Sequence, residues 1–251
     1  MILSIIQART SSTRLPGKVL LPLAGKPMIV QEIQRLSRSQ KIDKIVLATS
    51  TDASDDELCT VVAAAGVEVY RGDLTDVLNR YYRCAKKYGA DHVVRITGDC
   101  PVIDWRLVDT VIARHIAEQN DYTHMTERFP DGLDTEVMTF AALERAQREA
   151  TLLSEREHVT LYFRKHTEIF RIGTVDSQED YGELRWTVDE MRDFTFIEAV
   201  YEHLFPLKND FTMEDMITLL KEHKDLLEIN RGITRNEGLQ KSLAEESAQS
   251  E

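Results

Sequence analysis

Between residues 3 and 118 the chain alternates short apolar runs with longer stretches whose apolar residues recur at helical spacing. Leu3-Ser-Ile-Ile6, Lys44–Thr49, Val67–Tyr70 and His92–Thr97 read as strands bounded by polar or Gly/Pro-marked turns. Between them, Met28, Ile29, Ile33 and Leu36 form one helical face after Pro27. Leu58, Val61, Val62 and Ala65 form a second, opened by the Ser54/Glu57 capping-box spacing and stopped at Gly66. Val77, Leu78, Tyr81, Tyr82 and Ala85 mark a third helix, closed by Gly89, and Leu107, Val108, Val111 and Ile112 a fourth. Strands separated by helices pair in parallel through crossovers. The pattern therefore predicts an α/β fold with a doubly wound, mostly parallel, Rossmann-like sheet covered on both faces. Ligands of such sheets bind beyond the carboxyl ends of the strands, which directs attention to the residues after positions 6, 70 and 97.

Beyond residue 120 the alternation gives way to expected strands at 135–139, 169–173 and 184–188, and to helices at 140–149, 154–165, 193–205 and 212–223. No repeat or linker interrupts the chain. The expectation is one domain over 1–235, with an inserted subregion at about 120–175 and a frayed polar tail over 236–251. No apolar run approaches the roughly 18 residues of a membrane helix, and Met1–Ile6 lacks the basic flank of a secretory signal. Cys59, Cys84 and Cys100 have no CxxC spacing, which argues against a disulfide framework and for a reducing, cytoplasmic setting.

Lys and Arg total 31 against 43 Asp and Glu, a net charge of −12 that speaks against a general nucleic-acid partner. Yet residues 1–31 contain no acid and carry Arg9, Arg14, Lys18 and Lys26. A buried strand explains the absence over 1–6 but not over 7–31; a site for a small, highly charged anion explains both. The loop Gln7–Lys18 offers two guanidiniums, an ammonium, four hydroxyls and a glycine. Arg suits bidentate phosphate contact, Lys supplies a point charge, and small residues let backbone N–H groups approach. The loop is neither a Walker A sequence nor GxGxxG. Asp99 and Asp189 each end an expected strand. A pair of carboxylates with phosphate oxygens is a typical Mg²⁺ environment, although either aspartate alone could be a turn or cap residue. Asp193, four residues after Asp189, reads by itself as a first-turn helix acid.

Ile6–Leu20, followed by Leu23-Ala-Gly-Lys-Pro-Met-Ile29, resembles the opening of the sugar-acid cytidylyltransferases, which include the acylneuraminate and 3-deoxy-manno-octulosonate enzymes. Within that superfamily it is most similar to the spore-coat polysaccharide biosynthesis protein F branch. The resemblance implies a nucleotide-diphospho-sugar transferase type of fold. It also implies that this loop binds the CTP triphosphate through Ala8, Arg9, Ser11, Arg14 and Lys18, with Lys26 as the family's second lysine. Thr97-Gly-Asp-Cys-Pro101 and Trp186-Thr-Val-Asp189 resemble the family's metal motifs, implying Mg²⁺ on Asp99 and Asp189 and a nucleotide contact at Thr97. Only this resemblance makes a metal ligand an equal reading for Asp193. The segment Arg71–Arg80 falls where the cytosine edge is expected, with Arg80 at a matching position. Asp131–Val137 and Arg156–Thr160 resemble spore-coat-branch segments, making Asp134, Glu136 and His158 candidate acceptor or dimer contacts; His158 taken alone reads as a helix-surface histidine.

The implied reaction is Mg-dependent transfer of CMP from CTP to a sugar, such as a nonulosonate or octulosonate, with release of pyrophosphate, for surface polysaccharide or glycan biosynthesis. Arg9, Arg14, Lys18 and Asp99 would carry the catalysis, in a homodimer with no membrane or nucleic-acid partner. The alternatives are a nucleotidyltransferase using another triphosphate and a non-catalytic nucleotide-binding subunit.

Overall fold

Leu3 and Ile5 of the first strand face one side of a sheet and Ile6 the other, and all three are fully buried. A strand with apolar residues on both faces belongs at the centre of a covered sheet. In the computed structural model, which describes residues 1–235 and 237–249, that strand is β1 (Ile2–Gln7). A two-residue ladder of β2 (Pro22–Leu23) with β3 (Lys26–Pro27) follows, then α1 (Met28–Leu36), β4 (Lys44–Ser50), α2 (Asp56–Ala64) and β5 (Glu68–Gly72). Next come α3 (Val77–Tyr88), β6 (His92–Thr97), α4 (Trp105–Glu118), β7 (Tyr122–Met125) and β8 (Glu136–Thr139). The chain continues through α5 (Phe140–Glu149), α6 (Leu153–Glu157), α7 (Leu161–Lys165), β9 (Ile172–Val175), α8 (Met191–Leu204), α9 (Met213–Glu222) and α10 (Glu237–Gln249).

The main sheet has the order β5-β4-β1-β6-β8-β7-β9. Every pairing is parallel except those of β8, which runs antiparallel to β6 and to β7. Side chains of α1, α2, α4, α8 and α9 cover one face, and those of α3, α5 and α7 cover the other. The α/β, mostly parallel, doubly wound reading therefore holds. The chain leaves β1 toward β4 on one side, while β6 pairs on the other, so the loops after β1 and β6 flank a crevice at the carboxyl edge. Among the described residues no helix is long and apolar enough to cross a membrane.

Several expected elements differ. The segment 184–188 is not a sheet strand. It lies extended across the carboxyl edge, with one bridge between Arg185 and Asp131 and a hydrogen bond from Val188 N to Asp99 O (2.8 Å). The expected helix over 154–165 is two short helices, broken where Val159 adopts φ 49°, a left-handed conformation unfavourable for a β-branched residue. The strand expected at 169–173 is Ile172–Val175, and β7 has no counterpart in the sequence reading. The polar stretch expected to fray contains α10, although residues 236, 250 and 251 of it lie outside the described residues.

Candidate active site

The loop after β1 is held in shape from beneath. Thr10 donates through its backbone N (2.8 Å) and Oγ1 (2.9 Å) to Asp55 Oδ1, and Gly17 N closes the loop on Thr10 O (2.8 Å). Gly17 adopts φ 70°, a conformation that favours glycine. The other Asp55 oxygen accepts from Thr49 Oγ1 (2.8 Å) and from Ser50 Oγ. Burial opposes charge on this carboxyl, but the donors from Ser50, Thr10 and Thr49 outweigh it and hold its pKa low. Asp55 is thus a loop anchor that sequence reasoning missed. In Asp52-Ala-Ser-Asp-Asp56 it is indistinguishable from a helix cap, and the Ser54 capping box expected there is not formed: Ser54 donates its own N–H to Asp52 (2.8 Å).

With the loop so fixed, Gln7, Ala8, Arg9, Ser12, Thr13, Arg14 and Lys18 line a cleft of about 500 Å³ together with Thr97, Asp99 and Asp189. Ser11 is exposed and does not line this cleft; Ser12 and Thr13 do. Lys26 is also absent from the cleft, exposed on β3 with its Nζ on Gln34 Oε1 (2.9 Å). These two expected contacts are not brought to the site.

Lys18 sits between the two aspartates. Its Nζ donates to Asp99 Oδ2 (2.8 Å), Asp189 Oδ1 (2.9 Å) and Val188 O (2.7 Å), which uses all three of its donors. Burial disfavours the ammonium, but the two carboxylates more than compensate and raise its pKa. Asp189 Oδ2 also accepts from Arg185 (2.9 Å) and forms an ion pair with Arg14 (3.0 Å); burial opposes its charge, and the cations, Lys18 foremost, hold its pKa low. Lys18 and Arg14 of this loop therefore meet the two aspartates and are partly neutralised by them. Asp193 is fully buried, bonds Arg185 (3.0 Å) and accepts from Asp189 N and Glu190 N at the start of α8. It is a capping acid and does not enter the cleft.

Asp99 is positioned by α1. Gly98 is required beside it, because an added Cβ would come within 2.7 Å of Ala8 Cβ and 3.2 Å of Gln7 O. Glu32, fully buried, accepts from Cys100 N (3.2 Å), and Arg35 donates to Val102 O (3.2 Å) and Ile103 O (3.0 Å). Burial and the nearby Asp99 charge push the Glu32 carboxyl well above its ordinary range. The three oxygens around the Lys18 ammonium show that this spot accommodates a cation. Among the described residues no cluster of three or more Asp, Glu, His or Cys is placed to hold a metal; Asp99 and Asp189 are the two cleft carboxylates that a metal there would have as protein ligands.

Asp134, Glu136 and His158 line a neighbouring cavity of about 240 Å³ that shares Arg14, Thr97, Asp99 and Asp189 with the first. Glu136 is buried and accepts from Arg95 (2.5 Å), Arg164 (3.0 Å) and Tyr122. Burial alone would raise its pKa, but the two guanidiniums hold it at about 2. Asp134 accepts from Arg235 (2.9 Å) and from Gly132 N. Asp131 beside it is pushed up to about 6 by burial and by the Asp134 charge. His158 contacts Ser242 Oγ through Nε2 (3.0 Å), and burial lowers its pKa, keeping the ring neutral at pH 7. Arg80 lies apart, buried against a third cavity of about 380 Å³ that it shares with Gln7, Arg9 and Arg156. Its Nη1 donates to Asp73 O (2.7 Å), and its buried Nε has no partner.

A family profile described as cytidylyltransferase matches residues 3–238. The spore coat polysaccharide biosynthesis protein SpsF of Bacillus subtilis is 34% identical over 231 residues, covering 89% of this chain and 95% of that protein. The 3-deoxy-manno-octulosonate cytidylyltransferase of Geobacter sulfurreducens is 36% identical over 114 residues, 45% of this chain and 44% of that protein. The solved structure of a cytidylyltransferase from Leptospira borgpetersenii superposes with a TM-score of 0.88 at 30% identity, over 93% of this chain and 99% of its own.

Proposed function

The chain belongs to the cytidylyltransferase family, and from that premise we propose that it transfers CMP from CTP to a hydroxyl of a small sugar acid, releasing pyrophosphate in the synthesis of a surface glycan. One arrangement carries the proposal. Arg9, Arg14 and Lys18 line the same crevice as Asp99 and Asp189, with Lys18 bonded to both aspartates and Arg14 paired with Asp189, at the edge where the parallel strands end. The acceptor cavity adjoins that crevice and shares the two aspartates, so both reactants meet beside the same residues.

Arg9 and Arg14 bind the phosphate chain and stabilise the charge that develops on departing pyrophosphate. Lys18 exchanges its aspartate contacts for phosphate oxygens when the triphosphate enters. Asp99 and Asp189 would then hold Mg²⁺, which when bound neutralises phosphate charge and lends Lewis acidity. The acceptor oxygen forms a bond to the α-phosphorus as the bond to the β-phosphate bridging oxygen breaks, and the hydroxyl proton is released. Catalysis here is positioning and electrostatics, with no enzyme nucleophile. The Arg80 cavity, with an unpartnered guanidinium nitrogen beside Arg9, suits the base. Glu136 is already held by Arg95 and Arg164; that trio carries a net positive charge and is the one part of a cavity otherwise rich in carboxylates that would meet the carboxylate of an acidic acceptor.

The test is pyrophosphate release from CTP and Mg²⁺ against a panel of nonulosonic and octulosonic acids, with UTP, GTP and ATP as controls. Asp99→Asn should abolish release while leaving the circular dichroism unchanged. Near-normal turnover by that variant, or equal use of all four nucleotides, would overturn the reading.

A further inference from the structure

α10 lies almost wholly beyond residue 238, where the family match ends, yet it borders both halves of the cleft. Its first residue, Glu237, places a carboxylate oxygen 2.9 Å from Arg14 Nη1. A carboxylate and a phosphate offer a guanidinium the same pair of acceptor oxygens. Among the described contacts of α10 with α6 and the turn after it, several join polar groups. Ser242 Oγ meets His158 Nε2 (3.0 Å), and Ser154 Oγ donates to Glu246 Oε2 (2.9 Å).

Resting on the function proposed above, we infer that α10 is a strap whose Glu237 occupies the phosphate position on Arg14 in the empty site and is displaced by the triphosphate. Glu237 is therefore a determinant of nucleotide affinity. Arg14 already carries Asp189 on Nη2 and Glu237 on Nη1, so a triphosphate that takes Nη1 adds a third negative group and competes with Glu237 for that nitrogen. Through Ser242 the same strap touches His158 in the acceptor cavity, so phosphate binding loosens the acceptor wall as well.

The experiment measures binding of inorganic tripolyphosphate, which has the phosphates and no base, by calorimetry at low salt. The full chain is compared with Glu237→Gln, Glu237→Ala and, separately, Arg14→Ala. The Arg14 and Glu237 side chains are 34% and 42% exposed, so solvent screens the pair and removing the carboxylate should tighten binding about two- to fivefold. Amide hydrogen exchange over 237–249 in the wild type should rise when tripolyphosphate binds. Unchanged or weaker binding by the Glu237 variants, with exchange unaltered, overturns the strap. Arg14→Ala separates the two readings: it should bind tripolyphosphate less well, and wild-type affinity in that variant would overturn the phosphate site itself and the strap with it.

Discussion

Replacing Lys18 with methionine keeps most of the side chain's length and removes the one cation that both aspartates share. Asp99 and Asp189 accept from a single nitrogen at 2.8 and 2.9 Å, so their oxygens lie at most about 5.7 Å apart. Two unit charges at that distance repel by about 3 kcal/mol at an effective dielectric constant of about 20. Arg14 and Arg185 remain on Asp189 and offset part of this. The expected loss is therefore about 1–3 kcal/mol of folding stability, a range consistent with stranding partly buried charge. Urea unfolding at pH 7.5 and low salt measures it directly. Lys18→Met with Asp99→Asn should recover most of the loss, because the second change removes one of the two repelling charges; the cycle isolates their coupling. Mg²⁺ should raise the melting temperature of Lys18→Met more than that of the wild type, since the variant offers the aspartates without a competing ammonium. A Lys18→Met protein as stable as wild type, or a double variant that recovers nothing, would refute the view that the aspartates form one cation site.

Two further outcomes follow from the geometry. Glu136 has a pKa of about 2 in the folded protein, below its unfolded value, so its contribution is present above about pH 4.5 and lost as pH falls toward 2; the difference is worth roughly 3 kcal/mol. Glu136→Gln should be less stable than wild type at pH 7, and the gap should close in urea melts taken down to pH 2.5; a gap that stays constant with pH would contradict the assignment. Gly98→Ala should cost about 1–3 kcal/mol in thermal unfolding and reduce pyrophosphate release, because the new Cβ meets Ala8 Cβ and the Gln7 carbonyl and displaces the turn that aims Asp99. Wild-type activity in that variant would show that the turn tolerates movement.

The central strands were legible because β1, β4 and β6 are apolar on both faces, a pattern that only a covered, parallel sheet accepts. From that topology the positions of Arg14, Lys18 and Asp99 followed, since each comes shortly after a central strand. Asp189 reached the same crevice by a different route: its segment is no sheet strand but lies across the carboxyl edge and bonds to Asp99 O. β7 escaped notice because Tyr122-Thr-His-Met carries no alternation that distinguishes it from a loop. Ser12 and Thr13, rather than Ser11, face the cleft because the anchoring of Thr10 by Asp55 sets the loop's rotation, and spacing does not encode rotation.

Which charges meet was illegible for a deeper reason. Residues 1–31 are free of acids, which signals an anion-binding segment, but the sequence does not say what balances those cations when no anion is bound. The fold answers with Asp99 and Asp189 for Lys18, and Asp189 and Glu237 for Arg14. Glu237 comes from a stretch whose composition alone suggests no order. Its partner lies 223 positions away, and a contact at that separation is set by tertiary packing rather than by local pattern. Clustered cations destabilise the folded state by mutual repulsion, and neighbouring carboxylates relieve it. The residues that do so are therefore part of its binding equilibrium, although they lie outside the motif that announces it.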